Sequence, residues 1–168
     1  MNKRNSNTNS FKKTLKKYSF PIIIGILLAL ITSKFFMISI VNGHSMDNTL
    51  HDKQVLFINR LHTLIFGIKP GDIIILKEKD KENEFLVKRV IAIENDTLEL
   101  KDNKLYRNGQ ILKETYIKEP MINNSDFYLK IPQNELFFLG DNRNISYDSR
   151  QEGTYPMDSI VGKVMFVN

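Results

Sequence analysis

The residues whose chemistry is most informative are a serine and a lysine. Ser45 lies in the segment Gly43-His-Ser-Met46, where a strand-like segment over 37–41 runs into a turn. A serine held at the end of a rigid element can act as a nucleophile, but a serine in a turn is more often only a turn residue. The segment matches half of the Gly-x-Ser-x-Gly motif, since Asp47 stands at the second glycine. From this segment alone, Ser45 could be either a nucleophile or an ordinary turn residue.

Lys88 lies in the apolar segment Phe85–Ile93. On a strand it would share a face with Leu86, Val90 and Ala92. A lysine amine accepts a proton only when it is neutral, and an apolar setting lowers its pKa because the charged form loses hydration. The alternative is an edge-strand lysine whose amine reaches water. The segment alone leaves both interpretations open.

A third segment, Gly140–Arg150, is dense in acidic, basic and hydroxyl side chains and directly follows an apolar run. Loops at strand ends often carry functional polar groups. The composition fits buried pairing of aspartate with arginine, and it also fits a solvated turn.

Other catalytic and metal-binding arrangements are less favoured. A Ser–His–Asp triad would need His44, His51 or His62, and His44 adjoins Ser45, so the two side chains point to opposite faces of an extended chain. The three histidines lack the spacing of a metal site, and the absence of cysteine excludes thiolate ligands and disulfides. Ser10-Phe-Lys-Lys13 lies in the charged tail and is treated as chance. We predict no metal and no cofactor.

The elements that must position these side chains are short strands. Beyond residue 41, short apolar runs rich in β-branched residues alternate with Gly, Asn, Asp and Pro, which predicts an all-β domain of short antiparallel strands. Asn108-Gly109 predicts a hairpin turn. The predicted strands cover 54–58, 72–76, 85–93, 97–100, 105–106, 127–131, 135–139 and 160–167.

The N-terminal region predicts a membrane anchor. The apolar run over 20–41, broken at 32–34, would measure about 33 Å as a helix, enough to cross a bilayer core of about 30 Å. A cleavable signal peptide is the alternative, but no small-x-small cleavage site follows the run. We predict a disordered basic tail over 1–19, a transmembrane anchor over 20–41 and an outer domain over 42–168.

The charge distribution supports a membrane and argues against nucleic acid. The first 19 residues carry six basic and no acidic side chains, whereas the remaining 149 carry 18 basic and 19 acidic ones. A nucleic-acid-binding domain would carry the excess on its own face. Basic residues before an apolar span predict a cytoplasmic N-terminus and an outer domain on the other side of the membrane.

Together these motifs resemble the type I signal peptidases, which are membrane-anchored Ser–Lys proteases, in their short single-span form. The family's defining segments resemble Ser45–Leu50, Gly71–Leu76, Lys88–Ala92 and Gly140–Arg150, of which the last matches at every defining position. Their order and spacing agree over about residues 18–168.

This chain departs from the family's pattern at three places. Asn48 replaces a usual proline and Asn95 a frequent glycine, a position where Asn tolerates positive φ. Gly43 stands where some members have a serine that serves as a second oxyanion donor.

The resemblance implies the signal-peptidase-like β fold and removal of signal peptides from secretory preproteins, without a cofactor. It implies that Ser45 is the nucleophile, with its backbone N–H as an oxyanion donor, and Lys88 the base. Implied partners are signal peptides and membrane lipid, with export machinery as a further candidate and no nucleic acid. The supporting residues implied are Ser146, which would orient the amine, the ion pairs Asp148–Arg150 and Asp141–Arg89, and Met46, which would help to line the substrate groove.

Two other functions are alternatives to this one. A self-cleaving repressor of the related Ser–Lys fold would need a DNA-binding region where the anchor lies. A catalytically inactive homologue could serve as a scaffold in surface-protein or pilus assembly, but such proteins typically lose the serine or the lysine, and both are present here. The scaffold remains the alternative.

Overall fold

The protein is described by a computed structural model that covers residues 4–79, 84–122 and 124–165. It divides into two compact units, a helical unit over Met1–Phe36 and a β unit over Met37–Asn168.

Helix α1 covers Arg4–Phe35 and makes up most of the helical unit. Among the described residues it is the one helix with the length and composition to cross a membrane, over Lys16–Phe35, with a mean hydropathy of 1.8. Lys34 lies in its last turn, where a cation is favoured by the helix dipole.

Two boundaries of this region differ from those predicted by sequence. The tail expected to be disordered over 1–19 is helical from Arg4 onward, as an extension of the apolar helix, since lengthening an existing helix costs little. Residues 1–3 lie outside the described residues. The helix ends at Phe35, although the apolar run continues to 41. Residues Phe36–Ile40 form strand β1 instead, with side chains that alternate between exposed and half-buried, a pattern that pairing with a neighbouring strand favours.

The remaining elements are short, and strands predominate. The eight predicted strands are all present, with ends that agree or differ by one residue, except that residues 166–167 of the last prediction lie outside the described residues. The all-β prediction is confirmed. The elements that follow β1 are, in chain order, β2 Val55–Asn59, α2 Arg60–Phe66, β3 Ile73–Lys77, β4 Phe85–Ile93, β5 Thr97–Lys101, β6 Lys104–Arg107, β7 Gln110–Ile111, β8 Phe127–Lys130, β9 Glu135–Leu139, α3 Ser149–Glu152, β10 Tyr155–Pro156, a 3-10 turn Met157–Ser159, and β11 Ile160–Met165.

The strands form two antiparallel sheets. The larger has the order β1-β2-β11-β3-β4-β9-β10, and the smaller has the order β7-β6-β5-β8. Asn108 and Gly109 have φ of 51° and 76° and join β6 to β7, which confirms the predicted hairpin. The smaller sheet buries Leu98, Leu100 and Leu105 against β4 and β9 residues of the larger one.

Strand β4 is the element that matters most for the site, because it lies inside the larger sheet. It pairs with β3 on one side along Phe85–Arg89 and with β9 on the other side only from Arg89 onward. Lys88–Ala92 is buried throughout, because apolar clusters cover both faces of the strand there: Val90 packs in one cluster, and Ile91 and Ala92 pack in another. The register with β9 shifts between Val90 and Ala92. Because β9 pairs with β4 only from Arg89 onward, the edge of β4 that faces β9 is unpaired at Phe85–Lys88.

Candidate active site

The structure brings together the serine and the lysine singled out by sequence. Ser45 lies in a turn closed by a hydrogen bond from the Asp47 N–H to the His44 carbonyl, and Lys88 lies on β4. The Lys88 Nζ is 2.9 Å from the Ser45 Oγ, within hydrogen-bonding distance. The exposed His44 ring contacts Asp47 at 3.2 Å, and within the described residues no histidine is hydrogen-bonded to Ser45.

The environment of Lys88 favours a neutral amine. The residue is 4 % exposed, and burial lowers the pKa of Lys88 because the charged form loses its hydration. The carboxylates of Asp148 and Glu152 offset part of this lowering. A neutral amine hydrogen-bonded to a hydroxyl can accept its proton, so the pair has the geometry and the electrostatics of a nucleophile and its base.

The expected ion pair of Arg89 with Asp141 is present and bidentate, with Nε–Oδ1 and Nη2–Oδ2 distances of 2.8 and 2.6 Å. Thr49 donates a short hydrogen bond to the same carboxylate. Arg89 also donates to the Gly71 carbonyl, and its guanidinium lies 4.0 Å from the centre of the Tyr116 ring. The pair therefore ties β4, the turn after Ser45 and the loop after β9 into one assembly.

The second expected ion pair, Arg150 with Asp148, is also bidentate, at 2.8 and 3.0 Å. Asp148 accepts a hydrogen bond from the Gly140 N–H, and Arg150 donates to the carbonyls of Arg143 and Ser146. Both ends of the loop over 140–150 are thus held by one carboxylate–guanidinium pair. The Asp148 side chain also caps the short helix α3.

Gly140 marks the point where this loop approaches Ser45. A Cβ built on it would collide with the Ser146 Oγ and the Ser45 carbonyl oxygen, and would lie 2.6 Å from the Ser146 Cβ. Glycine is required here by close approach of two chain segments, because its φ is not in the left-handed region.

Two supporting residues occupy positions that differ from those expected. The Ser146 hydroxyl donates to the Tyr147 carbonyl at 3.5 Å, and among the described residues its hydrogen bonds do not include Lys88. Met46 is 1 % exposed and packs in the core with Leu50 and Leu56. The turn places the half-buried Ser45 at the cavity and directs the next side chain inward, so Met46 packs beneath the turn and is not among the residues that line the cavity.

The departures from the family's pattern have a backbone explanation. Asn48 has φ of 62° and Asn95 has φ of 68°, both in the left-handed region that asparagine tolerates. Proline is fixed near −65°, so it could not take the conformation of residue 48. The turn after Ser45 is therefore built differently here from a turn that contains proline, and Asn95 fills a position that suits glycine.

A cavity of about 190 Å³ lies beside the dyad. It is bounded on one side by the end of β1 and the residues that follow it, and on the other by the part of β4 that β9 leaves unpaired. Its lining residues are Ser39, Ile40, Val41, Asn42, Ser45, Leu56, Ile75, Phe85, Leu86, Val87 and Lys88.

Sequence reasoning missed a buried polar cluster next to the loop over 140–150. Arg143 is 1 % exposed and donates two hydrogen bonds to Glu114, at 2.5 and 3.0 Å. Burial raises the pKa of Tyr116 to about 12, and its protonated hydroxyl donates to the same Glu114 carboxylate. Arg143 belongs to a recognised motif, but Glu114 and Tyr116 lie in an irregular segment whose pattern carries no signal.

An all-β unit that presses a buried lysine amine against a serine hydroxyl has the arrangement of a serine peptidase that uses a lysine base. A family model described as signal peptidase, peptidase S26, matches residues 14–168. The chain therefore belongs to the signal peptidase family, peptidase S26, which confirms the resemblance drawn from the motifs.

Individual proteins give the same result. The chain is 38% identical over 167 residues to signal peptidase I P of Bacillus subtilis subsp. natto, covering 93% of this chain and 89% of the relative. It is 30% identical over 173 residues to signal peptidase IB of Staphylococcus aureus strain N315, covering 92% and 90%. A crystal structure of a signal peptidase I from Enterococcus faecalis V583 aligns with a TM-score of 0.51 at 29% identity, covering 58% of this chain and 97% of that one.

Proposed function

We propose that this protein is a membrane-bound serine endopeptidase that removes signal peptides from exported precursor proteins, with Ser45 as nucleophile and Lys88 as general base. The observation that carries the assignment is the 2.9 Å contact between the Ser45 hydroxyl and a buried lysine amine. Membership of the signal peptidase family supports the substrate class. An inactive scaffold is not favoured, because it would have no need for a buried lysine held at that distance.

The proposed reaction has two stages. Neutral Lys88 takes the proton of the Ser45 hydroxyl as its oxygen attacks the scissile carbonyl, and the negative charge on the carbonyl oxygen is stabilised by the Ser45 backbone N–H. Protonated Lys88 then gives its proton to the leaving amine, which completes the acyl-enzyme. Lys88 next takes a proton from a water molecule that attacks the ester, and Ser45 is regenerated when that proton returns to its oxygen.

The ion pairs serve this chemistry by holding strand β4, the turn of Ser45 and the loop after β9 together. Arg89 directly follows the base on β4, so its bond to Asp141 fixes the strand at the position of Lys88. Arg150 and Asp148 hold the loop that packs on the Ser45 carbonyl. Ser146 acts here by packing against Gly140, which is the role its observed position supports.

The substrate would bind as an extended strand in the cavity beside the dyad. The edge of β4 over Phe85–Lys88 is unpaired by β9 and lines the cavity, so its backbone groups are available to an added strand. Alternate side chains of a bound strand point into the protein. We expect small side chains at the first and third positions before the cut, in shallow pockets, as membership of the signal peptidase family implies.

The test is cleavage of a signal-bearing precursor by the purified full-length protein in detergent. Wild type should release the mature product, and Ser45→Ala should not. Phe in place of Ala at the position next to the cut should lower the rate by about 100-fold, because the pocket proposed for that side chain is shallow. Equal rates for Ala and Phe would contradict the binding mode, whereas cleavage by Ser45→Ala would contradict the assignment of the nucleophile.

The apolar helix and the family membership indicate a membrane-anchored protein. We propose that the lysine-rich end of α1 lies in the cytoplasm and that the catalytic β unit lies outside, where it would meet membrane lipid, emerging precursors and the export machinery. Protease added to intact cells stripped of their wall should then remove the β unit and spare the tail. Protection of the β unit in such cells would reverse this orientation.

A further inference from the structure

Asn142 holds two consecutive carbonyl groups of the nucleophile's turn. Its side-chain Nδ2 donates to the His44 carbonyl at 3.0 Å, and its backbone N–H donates to the Ser45 carbonyl at 3.0 Å. The Asp47 N–H also donates to the His44 carbonyl, at 3.2 Å. A single residue from the loop after β9 therefore fixes the carbonyls on both sides of the Ser45 nitrogen and Cα.

The orientation of one carbonyl sets the orientation of the N–H in the same peptide. In a trans peptide the C=O and the N–H point in opposite directions. With the His44 carbonyl drawn toward Asn142 and Asp47, the Ser45 N–H must project away from both. Among the described residues this N–H donates to no acceptor, so it is free to bind an oxyanion.

Asn142 is itself held rigidly. It is 2 % exposed, and its own carbonyl accepts hydrogen bonds from the N–H groups of Ile145 and Ser146. The residues on either side of it are both ion-paired, Asp141 with Arg89 and Arg143 with Glu114. Because water has little access to this position, a lost side-chain hydrogen bond would not be replaced readily.

We propose that Asn142 is a positioning residue that orients the peptide between His44 and Ser45, and thereby aims the Ser45 N–H at the oxyanion of the reaction. The inference rests on the proposed function, and it deepens it by naming what holds the oxyanion donor in place. Such a donor matters more where Gly43 offers no hydroxyl to share the charge.

The test compares Asn142→Ala with Asn144→Ala in the full-length protein. Asn144 is a control on the same loop, and its side chain also donates to a backbone carbonyl, that of Pro120 at 3.0 Å. Within the described part of the chain, its side-chain hydrogen bonds are to Pro120 and from Ile122 and do not involve the turn of Ser45. In Asn142→Ala we expect kcat to fall by about 100-fold with KM changed less than about threefold, since the oxyanion forms only in the transition state. Asn144→Ala should keep both constants.

The pH profile separates this role from an effect on the base. Because Lys88 is not touched, the pH dependence of kcat/KM should keep its midpoint in Asn142→Ala. A shifted midpoint, or activity restored at high pH, would mean that Asn142 acts through the lysine and would overturn the proposal. A kcat within threefold of wild type would overturn it as well.

A crystal structure of Asn142→Ala tests the orientation of the peptide between His44 and Ser45 directly, even if the variant is too unstable for activity assays. The proposal expects the peptide between His44 and Ser45 to rotate or to occupy two orientations. An unchanged peptide would overturn the proposal while leaving the proposed function intact. Absence of cleavage by wild type would instead refute the proposed function, and the peptide orientation would still be readable.

Discussion

Replacing Lys88 by arginine is expected to abolish precursor cleavage as completely as Ser45→Ala. Arginine keeps the charge and nearly the length of lysine, but it stays protonated and cannot accept the serine proton. The loss should be about 10³-fold or more, because both the activation of the nucleophile and the proton transfer to the leaving group depend on the base. Lys104→Arg, an exposed change of the same kind on β6, serves as the control and should keep full activity.

The same assignment fixes the direction of the pH dependence. Burial lowers the pKa of Lys88, so the active neutral amine becomes populated at a lower pH than for a lysine in water. Activity should rise with pH through the pKa of Lys88 and then level off. Appreciable cleavage by Lys88→Arg, or a rate that falls over this pH range while the protein stays folded, would show that the base lies elsewhere.

Lys88→Met should lose activity and gain stability, which distinguishes a lost base from a lost fold. Below the folded-state pKa, Lys88 is charged in both the folded and the unfolded protein, and burying that charge lowers the free energy of unfolding. As pH rises through this pKa, the folded protein loses the proton while the unfolded chain keeps it, so wild-type stability rises with pH. The advantage of the methionine variant should thus be on the order of 1 kcal/mol at the acid end and should shrink toward alkaline pH, as measured by thermal unfolding.

Gly140→Ala is expected to have the second largest effect. The added methyl group would collide with a backbone oxygen of Ser45 as well as with the Ser146 side chain, so a rotamer change alone cannot relieve it. We expect a loss of about 1–3 kcal/mol in stability, as for other overpacked sites, and a fall of about 100-fold or more in kcat from displacement of the nucleophile.

Thermal unfolding and precursor cleavage measure the two effects of Gly140→Ala separately. Gly25→Ala is the control, because no heavy atom lies within 4 Å of its added Cβ. If Gly140→Ala retained wild-type kcat, the contact between the loop and the Ser45 carbonyl would not be needed to hold the nucleophile.

Much of the fold could be predicted because its information is local. Strands β3, β4 and β9 are β-branched or aromatic runs bounded by turn residues, and each run is long enough to read without knowledge of its neighbours. Residues 37–41 have a strand-like pattern but also continue the apolar run of the anchor, and only pairing at a sheet edge decides that Phe36–Ile40 is strand β1. The two-residue strand β10 likewise exists only through its pairing with β9.

The site residues also fall into those that a local sequence pattern reveals and those that it does not. Ser45 and Lys88 are recognisable because their motifs are contiguous, and the acidic partners of Arg89 and Arg150 lie in a recognised segment. The burial of Met46 and the bond from Ser146 to a carbonyl depend on how distant segments pack, which no local pattern encodes. Glu114 is the extreme case, since its importance comes wholly from Arg143 in another segment.

The tie between Asn142 and the turn of Ser45 also bears on how the chain becomes active. Its side-chain bond joins residues 98 positions apart, and the serine–lysine contact joins residues 43 apart. Contacts between distant positions form late in folding, since the entropy of closing the intervening chain must be offset first. A partly folded molecule therefore holds an ordinary, unreactive serine. We expect peptidase activity to appear only when the last long-range contacts form. The time at which activity appears during refolding would therefore report when folding of the β unit is complete.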